Sequence, residues 1–389
     1  MFQERLLFPI KFKPINTIFL TQLVRSRMSE TVLDETSHIE TILEESDNEK
    51  EKCGDVYQEE KEFEKEEVLF VFQEFSYREH AKVFSKEVLE YFFSFVNGEK
   101  DFDYEERYAK AKQLLPYKEA PPFLQHNPYI LSGYRGILST AHCIDSVFWW
   151  TNESINIWSH LFGLLLFTGL AINDLFILKV EASFSDKFIV ASVLVCFQIC
   201  MSLSSIYHTF NCRSHRDCDI FLSFDLFGIA LSLLAIYTSG IYYAFWCDSD
   251  LQNFYMSTVT FIFVIAMLLQ VPHFQVDPFI QIFVFVAWAA YGVVPTFHWT
   301  VVMGGWENPI VSLLLPRVLG MYIITGTAFF IYLTKIPERF SNGRYDFIGH
   351  SHQWWHLFVV LALYYWHNTG MLYVDYRLNH GCANHMKLP

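Results

Sequence analysis

Beyond residue 150 this chain has little charge. The first 150 residues hold about 28 acidic and 18 basic side chains, so about ten units of the net charge of −14 arise there. Nowhere do Lys and Arg form a stripe, and nucleic acid is therefore not an expected partner. The eight cysteines are scattered. They make no C-x-x-C pair, and their spacing suggests no disulfide framework. No cleavable secretory signal is evident: the stretch Phe2–Met28 is apolar and mildly basic, but Pro9 and Pro14 interrupt it and no clean small-residue site follows. What the chain has in abundance is apolar surface. Hydrophobic residues make up 52% and aromatics 18%, and the mean hydropathy is positive. That is too apolar for an ordinary soluble protein of this length.

Taken in order, residues 1–120 read as a soluble extension. Glu30–Glu67 is dominated by Glu and Asp, has few large apolar residues and is expected to be disordered. From about Lys82 to Val96, Phe84, Val88, Phe92 and Phe95 recur every three or four residues, which predicts an amphipathic helix stopped by Asn97-Gly98. A second short helix is expected from Asp103 to before Pro116. Both are expected to pack on the bundle or on each other, in preference to offering a membrane-surface or partner-binding face. A juxtamembrane segment, 121–150, leads into seven apolar runs long enough to cross a bilayer. They are Ile155–Leu178, Phe188–Phe210, Ile220–Trp246, Phe254–Val271, Phe279–Trp299, Ile310–Thr334 and Trp354–Leu372. Short connections make neighbours antiparallel, so the fold class is an all-α membrane protein, a seven-helix bundle over 151–376 with a short tail, 377–389. Pro295 and Pro316 fall inside spans, where a neighbour must satisfy the freed carbonyl. Arg135, Arg213, Arg216, Lys335, Arg339 and Arg344 lie on one side, against Lys179, Lys187, Arg377 and Lys387 on the other. The bias favours a cytosolic N-terminus and a C-terminus outside the cytosol.

The polar residues within the spans carry the chemistry. His352 and His356 open the seventh span four residues apart, on one helical face. Such a pair suits a zinc-sized ion, or it is simply a hydrogen-bonded pair at a helix end. Glu153, Asn156 and His160 share a face at the start of the first span. Ser204 and His208 end the second at the same spacing, and Asp225 lies about two turns into the third. Alternating span direction brings all of these to one layer near the cytosolic side. His208, His352 and His356 then form a set of three neutral nitrogen ligands with a fourth position open. Asp225 can take a proton from water there, and Ser204 can orient that water. An ion so held can activate water toward an amide carbonyl. Glu153, Asn156 and His160 either support the ligands or hydrogen-bond between helices. Arg317, about two turns into the sixth span, must pair within the bundle or reach toward the interface.

Three stretches resemble the signature motifs of the progestin and adipoQ receptor family: Thr151–Gly163, Ser204-xxx-His208 and Ser351-His-Gln-Trp-Trp-His356. The resemblance extends over about Pro121–Tyr376. It implies a cytosolic N-terminus and a zinc ion on His208, His352 and His356, with Asp225 matching an aspartate near the metal. Phe123–Arg135, Tyr291–Trp299, Pro316-Arg317 and Lys335–Arg339 look like the branch of the family that traps Raf kinase at the Golgi. That resemblance implies Golgi residence and restraint of Raf and mitogen-activated kinase signalling. The long acidic extension departs from the pattern. Three function classes follow: a membrane scaffold holding a Raf-type kinase, a zinc-dependent amidohydrolase acting on ceramide-like lipids, and a seven-span receptor. Neither Cys247–Phe254 nor the tail suggests a ligand-binding ectodomain, and the scaffold is the preferred reading.

Overall fold

The computed structural model describes residues 81–90, 108–174, 183–270 and 276–382. The chain divides into two units, Met1–Lys82 and Val83–Pro389. Almost all of the first, including the acidic stretch 30–67, lies outside the described residues, as does the expected helix stop at Asn97-Gly98.

Among the described residues, seven helices are long and apolar enough to cross a membrane. They are α1 (Ser154–Ile172), α2 (Phe184–Phe210), α3 (His215–Ala244), α4 (Ser249–Leu268), α5 (Phe279–Val302), α6 (Pro309–Thr334) and α7 (Ser351–Asn379). The chain is therefore a multi-pass membrane protein. Among the described residues there is no strand beyond one isolated bridge, Leu115 to Tyr134. Seven alternating spans leave residue 150 at what we call the near face and residue 380 at the far face.

Several helices outrun the apolar stretches that announce them, because capping extends them into polar sequence. Ser183 and Asp186 form a reciprocal capping box that starts α2 four residues before Phe188. The Ser214 hydroxyl accepts from Asp217 N–H and starts α3 five residues before Ile220. α7 continues past Leu372, and past the boundary expected at 376, to Asn379. Its last turn stays packed because Arg377 pairs with Asp186 and covers the rings of Tyr242 and Trp246. His350 gives α7 no side-chain cap. Buried Glu338, from the α6–α7 loop, does so instead, accepting from Ser351 N–H (2.7 Å) and from the Ser351 hydroxyl. A carboxylate there also suits the positive end of the helix dipole.

Phe167 of α1, Leu194 and Phe197 of α2, Ala235 of α3 and Leu363 and Trp366 of α7 form one core. α2 and α3 approach so closely that a Cβ on Gly228 would meet the Cys200 Cα at 2.9 Å. Phe162, Phe261, Phe283, Ile323 and Phe330 are exposed on the outside of the bundle, as expected where lipid is the solvent. α5 breaks into Pro278–Tyr291 and Val293–Val302. Pro295 cannot donate to the Tyr291 carbonyl one turn back, and a neighbour enters the ladder at the break just before it. The Tyr237 hydroxyl of α3 accepts from Gly292 N–H (3.0 Å) and donates to the Trp288 carbonyl (2.6 Å), inserting itself into the helical ladder. Residue 292 must be glycine, since a Cβ there would stand 2.7 Å from the Tyr237 ring.

The cysteines hold one surprise. Cys247, after α3, and Cys382, after α7, form a disulfide. Spacing could not reveal it: the partners are 135 residues apart and meet only because both odd-numbered helices end at the far face. Near the other face, Cys143 and Cys212 are buried thiols with their sulfurs 3.7 Å apart.

The juxtamembrane segment is folded against the near face. Asn127 Nδ2 donates to Glu338 Oε1 (2.9 Å), while Leu131 N–H (2.8 Å) and the Ser132 hydroxyl (2.6 Å) donate to Asp346. Helix 81–90 packs there too. Phe84 meets Phe210 and Phe221, and Glu87 pairs with Arg213 at 2.7 Å. The expected packing role is thus met for its described part. The second short helix ends at residue 111, ahead of Pro116.

Candidate metal centre

α2 and α7 bring His208, His352 and His356 together at the near end of the bundle. Their ligand nitrogens all lie within 4.8 Å of one another. The Nε2 of His352 is 3.3 Å from that of His208 and 3.3 Å from that of His356. Nitrogens bound at 2.0–2.1 Å around a tetrahedral ion stand about 3.3–3.4 Å apart. The spacing therefore suits a cation of that size. His208 and His356 are buried and His352 half-buried.

Glu153, at the N-cap of α1, fixes one ligand. His208 Nδ1–H donates to Glu153 Oε2 at 2.7 Å, which leaves the Nε2 lone pair facing the centre. Asn156 Nδ2 donates to the same oxygen (2.7 Å) and Asn211 Nδ2 to the other (3.3 Å). Burial alone would raise the Glu153 pKa, but His208, Arg135 and Asn156 outweigh it and hold the carboxyl well below the usual carboxylate range.

Arg135 holds His208 from the other side. Its buried guanidinium donates to the carbonyls of His208 (2.5 Å) and Thr209 (3.0 Å), to Asn211 Oδ1 (2.8 Å) and to the Ser146 hydroxyl (2.7 Å). These carbonyls end α2 and have no helical partner of their own. A cation at that position also suits the helix dipole.

Ser204 and Asp225 are buried close by. Asp225 is in electrostatic reach of His208 and beside Ser204, yet outside the converging group, which comprises the three imidazoles alone. The α3 start at His215 puts Asp225 ten residues into its helix, nearly three turns from the near end. His160 stacks on His356 with ring centroids 3.9 Å apart. Arg317 is not part of this assembly. It is half-buried on α6, with no carboxylate paired to it among the described residues.

Sequence reasoning singled out Arg135 only as a topology marker and a motif residue, because its acceptors are mostly backbone carbonyls with no sequence signature. It missed Asn211, and also a buried pair toward the far face, His367 Nε2–H to Asp174 Oδ2 at 2.6 Å.

Comparison with known proteins gives one family and three relatives. The haemolysin-III related family matches residues 148–367. Progestin and adipoQ receptor family member 3 of Mus musculus is 39% identical over 285 residues, which cover 70% of this chain and 90% of that protein. The Homo sapiens protein of the same name gives the same figures. The adiponectin receptor protein of Drosophila melanogaster is 28% identical over 258 residues, 65% of this chain and 57% of that protein.

Proposed function

The chain belongs to the haemolysin-III related family, among the progestin and adipoQ receptors, and from that premise we propose that it is a Golgi membrane scaffold with a zinc ion on His208, His352 and His356. In this reading it restrains Raf and mitogen-activated kinase signalling by holding a kinase at its cytosolic face. The observation that carries the metal site is the convergence of three buried or half-buried imidazoles within 4.8 Å, two of their separations at 3.3 Å and one ring fixed by a carboxylate. An ion there would tie α2 to α7. The scaffold reading draws on the near face, where two stretches of Golgi-branch character meet: Asn127 of one bonds Glu338 of the other.

The cysteines support the proposed orientation. The pair at the far face is bonded, while the pair near the other face, 3.7 Å apart, is not. Disulfides persist in lumenal or extracellular compartments and thiols in the cytosol. The far face is thus lumenal in this reading and the near face cytosolic, in line with the Lys and Arg bias.

A second reading is zinc-dependent hydrolysis of ceramide-like lipids, favoured by the placement of Asp225 and Ser204 beside His208. The ion would supply Lewis-acid activation of water. Asp225 would accept a proton at its carboxylate and return it to the leaving amine, and Ser204 would orient the reacting groups. Asp225→Asn separates the two readings, since it keeps size but removes the base. The scaffold expects this variant to retain zinc, Golgi residence and restraint of Raf signalling. Loss of that restraint, together with ceramide turnover reduced by orders of magnitude in a folded, zinc-bound variant, would replace the scaffold by the hydrolase.

A further inference from the structure

The two fully buried ligands are treated unequally. His208 has Glu153 on its Nδ1, whereas His356 Nδ1 is buried and meets no protein partner. A metal-binding imidazole nearly always donates its other N–H to a carboxylate, a carbonyl or water. The acceptor for His356 is therefore missing from the side chains around it.

Other unpaired polar atoms lie beside it. The Oδ1 of Asn156 is buried without a protein partner, and the buried His160 ring meets no side-chain partner and has only the His356 backbone within reach. Asn156 and His160 are four residues apart on one face of α1, and His160 lies against His356. The two rings are stacked, at 30° between planes, so their edges run side by side and neither nitrogen can point into the other ring's lone pair. The amide nitrogen of Asn156 is committed to Glu153, which leaves its oxygen as a free acceptor. The layer thus offers one obligatory donor, one obligatory acceptor and an imidazole able to be either. A buried polar atom left unsatisfied is costly, and one molecule able both to accept and to donate would satisfy His356 Nδ1, Asn156 Oδ1 and one nitrogen of His160.

We propose that α1 and α7 enclose a water site whose occupant accepts the Nδ1–H of His356 and donates to Asn156 Oδ1 and to His160. Three partners are typical of a buried water. The site makes Asn156 and His160 positioning residues that aim the Nε2 of His356 at the metal; in this it rests on the metal reading above. The competing role for His160 is that of an apolar plate against the His356 ring.

His160→Phe and His160→Gln in the full-length chain separate the two. Phenylalanine keeps the plate and removes both nitrogens, whereas glutamine keeps a hydrogen-bonding group. The measurement is zinc affinity by chelator competition, with melting of the chelated protein recorded alongside. His160→Phe is expected to bind zinc about 10–100-fold more weakly with unchanged melting after chelation, and His160→Gln to regain most of the loss. Equal affinity of His160→Phe and the unsubstituted chain, or no recovery in His160→Gln, overturns the proposal. A density map of the unsubstituted protein, fine enough to show waters, decides the matter should a variant fail to fold. Density bonded to His356 Nδ1 and Asn156 Oδ1 supports the site, and bare atoms there overturn it. Absence of zinc from the unsubstituted chain would defeat the metal reading alone, and the map would still decide the water site.

Discussion

The near and far ends of the bundle are tied by different chemistry. At the far end two ties are complete in themselves. Cys247 is bonded to Cys382, and Asp186 satisfies Ser183, Tyr243 and Arg377 at once. At the near end Glu153, Asn211 and Arg135 are equally well paired, but they surround three imidazoles that share one small space. The Nε2 of His352 stands 3.3 Å from those of His208 and of His356, a spacing open to an imidazole N–H donating to its neighbour or to a cation held among the rings. The far end is held by bonds that close on themselves, and the near end gathers three imidazoles around one point.

The largest expected effect breaks the comparison at its near end. Replacing His352 or His356 by Ala should abolish zinc retention and lower the melting temperature, because metal binding free energy is also folding free energy. A chelator should reproduce the loss in the unsubstituted chain. Elemental analysis of purified protein checks this, and full zinc occupancy in a His208/His352/His356 triple-alanine variant would refute the ligand assignment.

Cys247→Ser tests the far end. It should cost about 2–4 kcal/mol of stability and leave zinc content unchanged, as should a reductant applied from the far side. Zinc loss on reduction, read by the same elemental analysis, would show that the two ends are coupled and that the contrast fails.

The smallest effect lies at the margin of the near end. Burial raises the Glu87 pKa, but the Thr140 hydroxyl and Arg213 outweigh it, so the folded carboxyl sits below its ordinary value. Its contribution is then fully present above the unfolded value and is lost as pH falls through the folded one. The pair is partly exposed, which limits the effect to under about 1 kcal/mol. Amide protection in helix 81–90, taken relative to the intrinsic exchange rate at each pH, should fall on acidification below about pH 4. Glu87→Gln should exchange faster at neutral pH and respond less to acid. An unchanged pH response in that variant would assign the effect to another group.

How far the sequence could be read follows from the kind of interaction involved. The seven spans were legible because lipid demands long apolar runs. His352 and His356 were legible because helical spacing alone puts them on one face, and His208 joined them through alternating span direction. Arg135 was not, since its role depends on where α2 ends and which carbonyls are left bare there. Cys247 and Cys382 were not, because pairing across four helices leaves no trace in spacing. The extra turns of α2 and α3 were hidden by polarity, although Ser183, Asp186 and Ser214 carry capping signals that a hydropathy profile does not weigh.

The disulfide has a topological consequence. It closes residues 247–382 into a covalent ring of four transmembrane helices, α4 to α7, fastened to the end of α3. A single cut in any loop of that ring opens it without releasing a fragment. His352 and His356 stay on the same molecule as His208 after such a cut, and only reduction parts them. To a protease working on either side of the membrane, the second half of this chain has no middle.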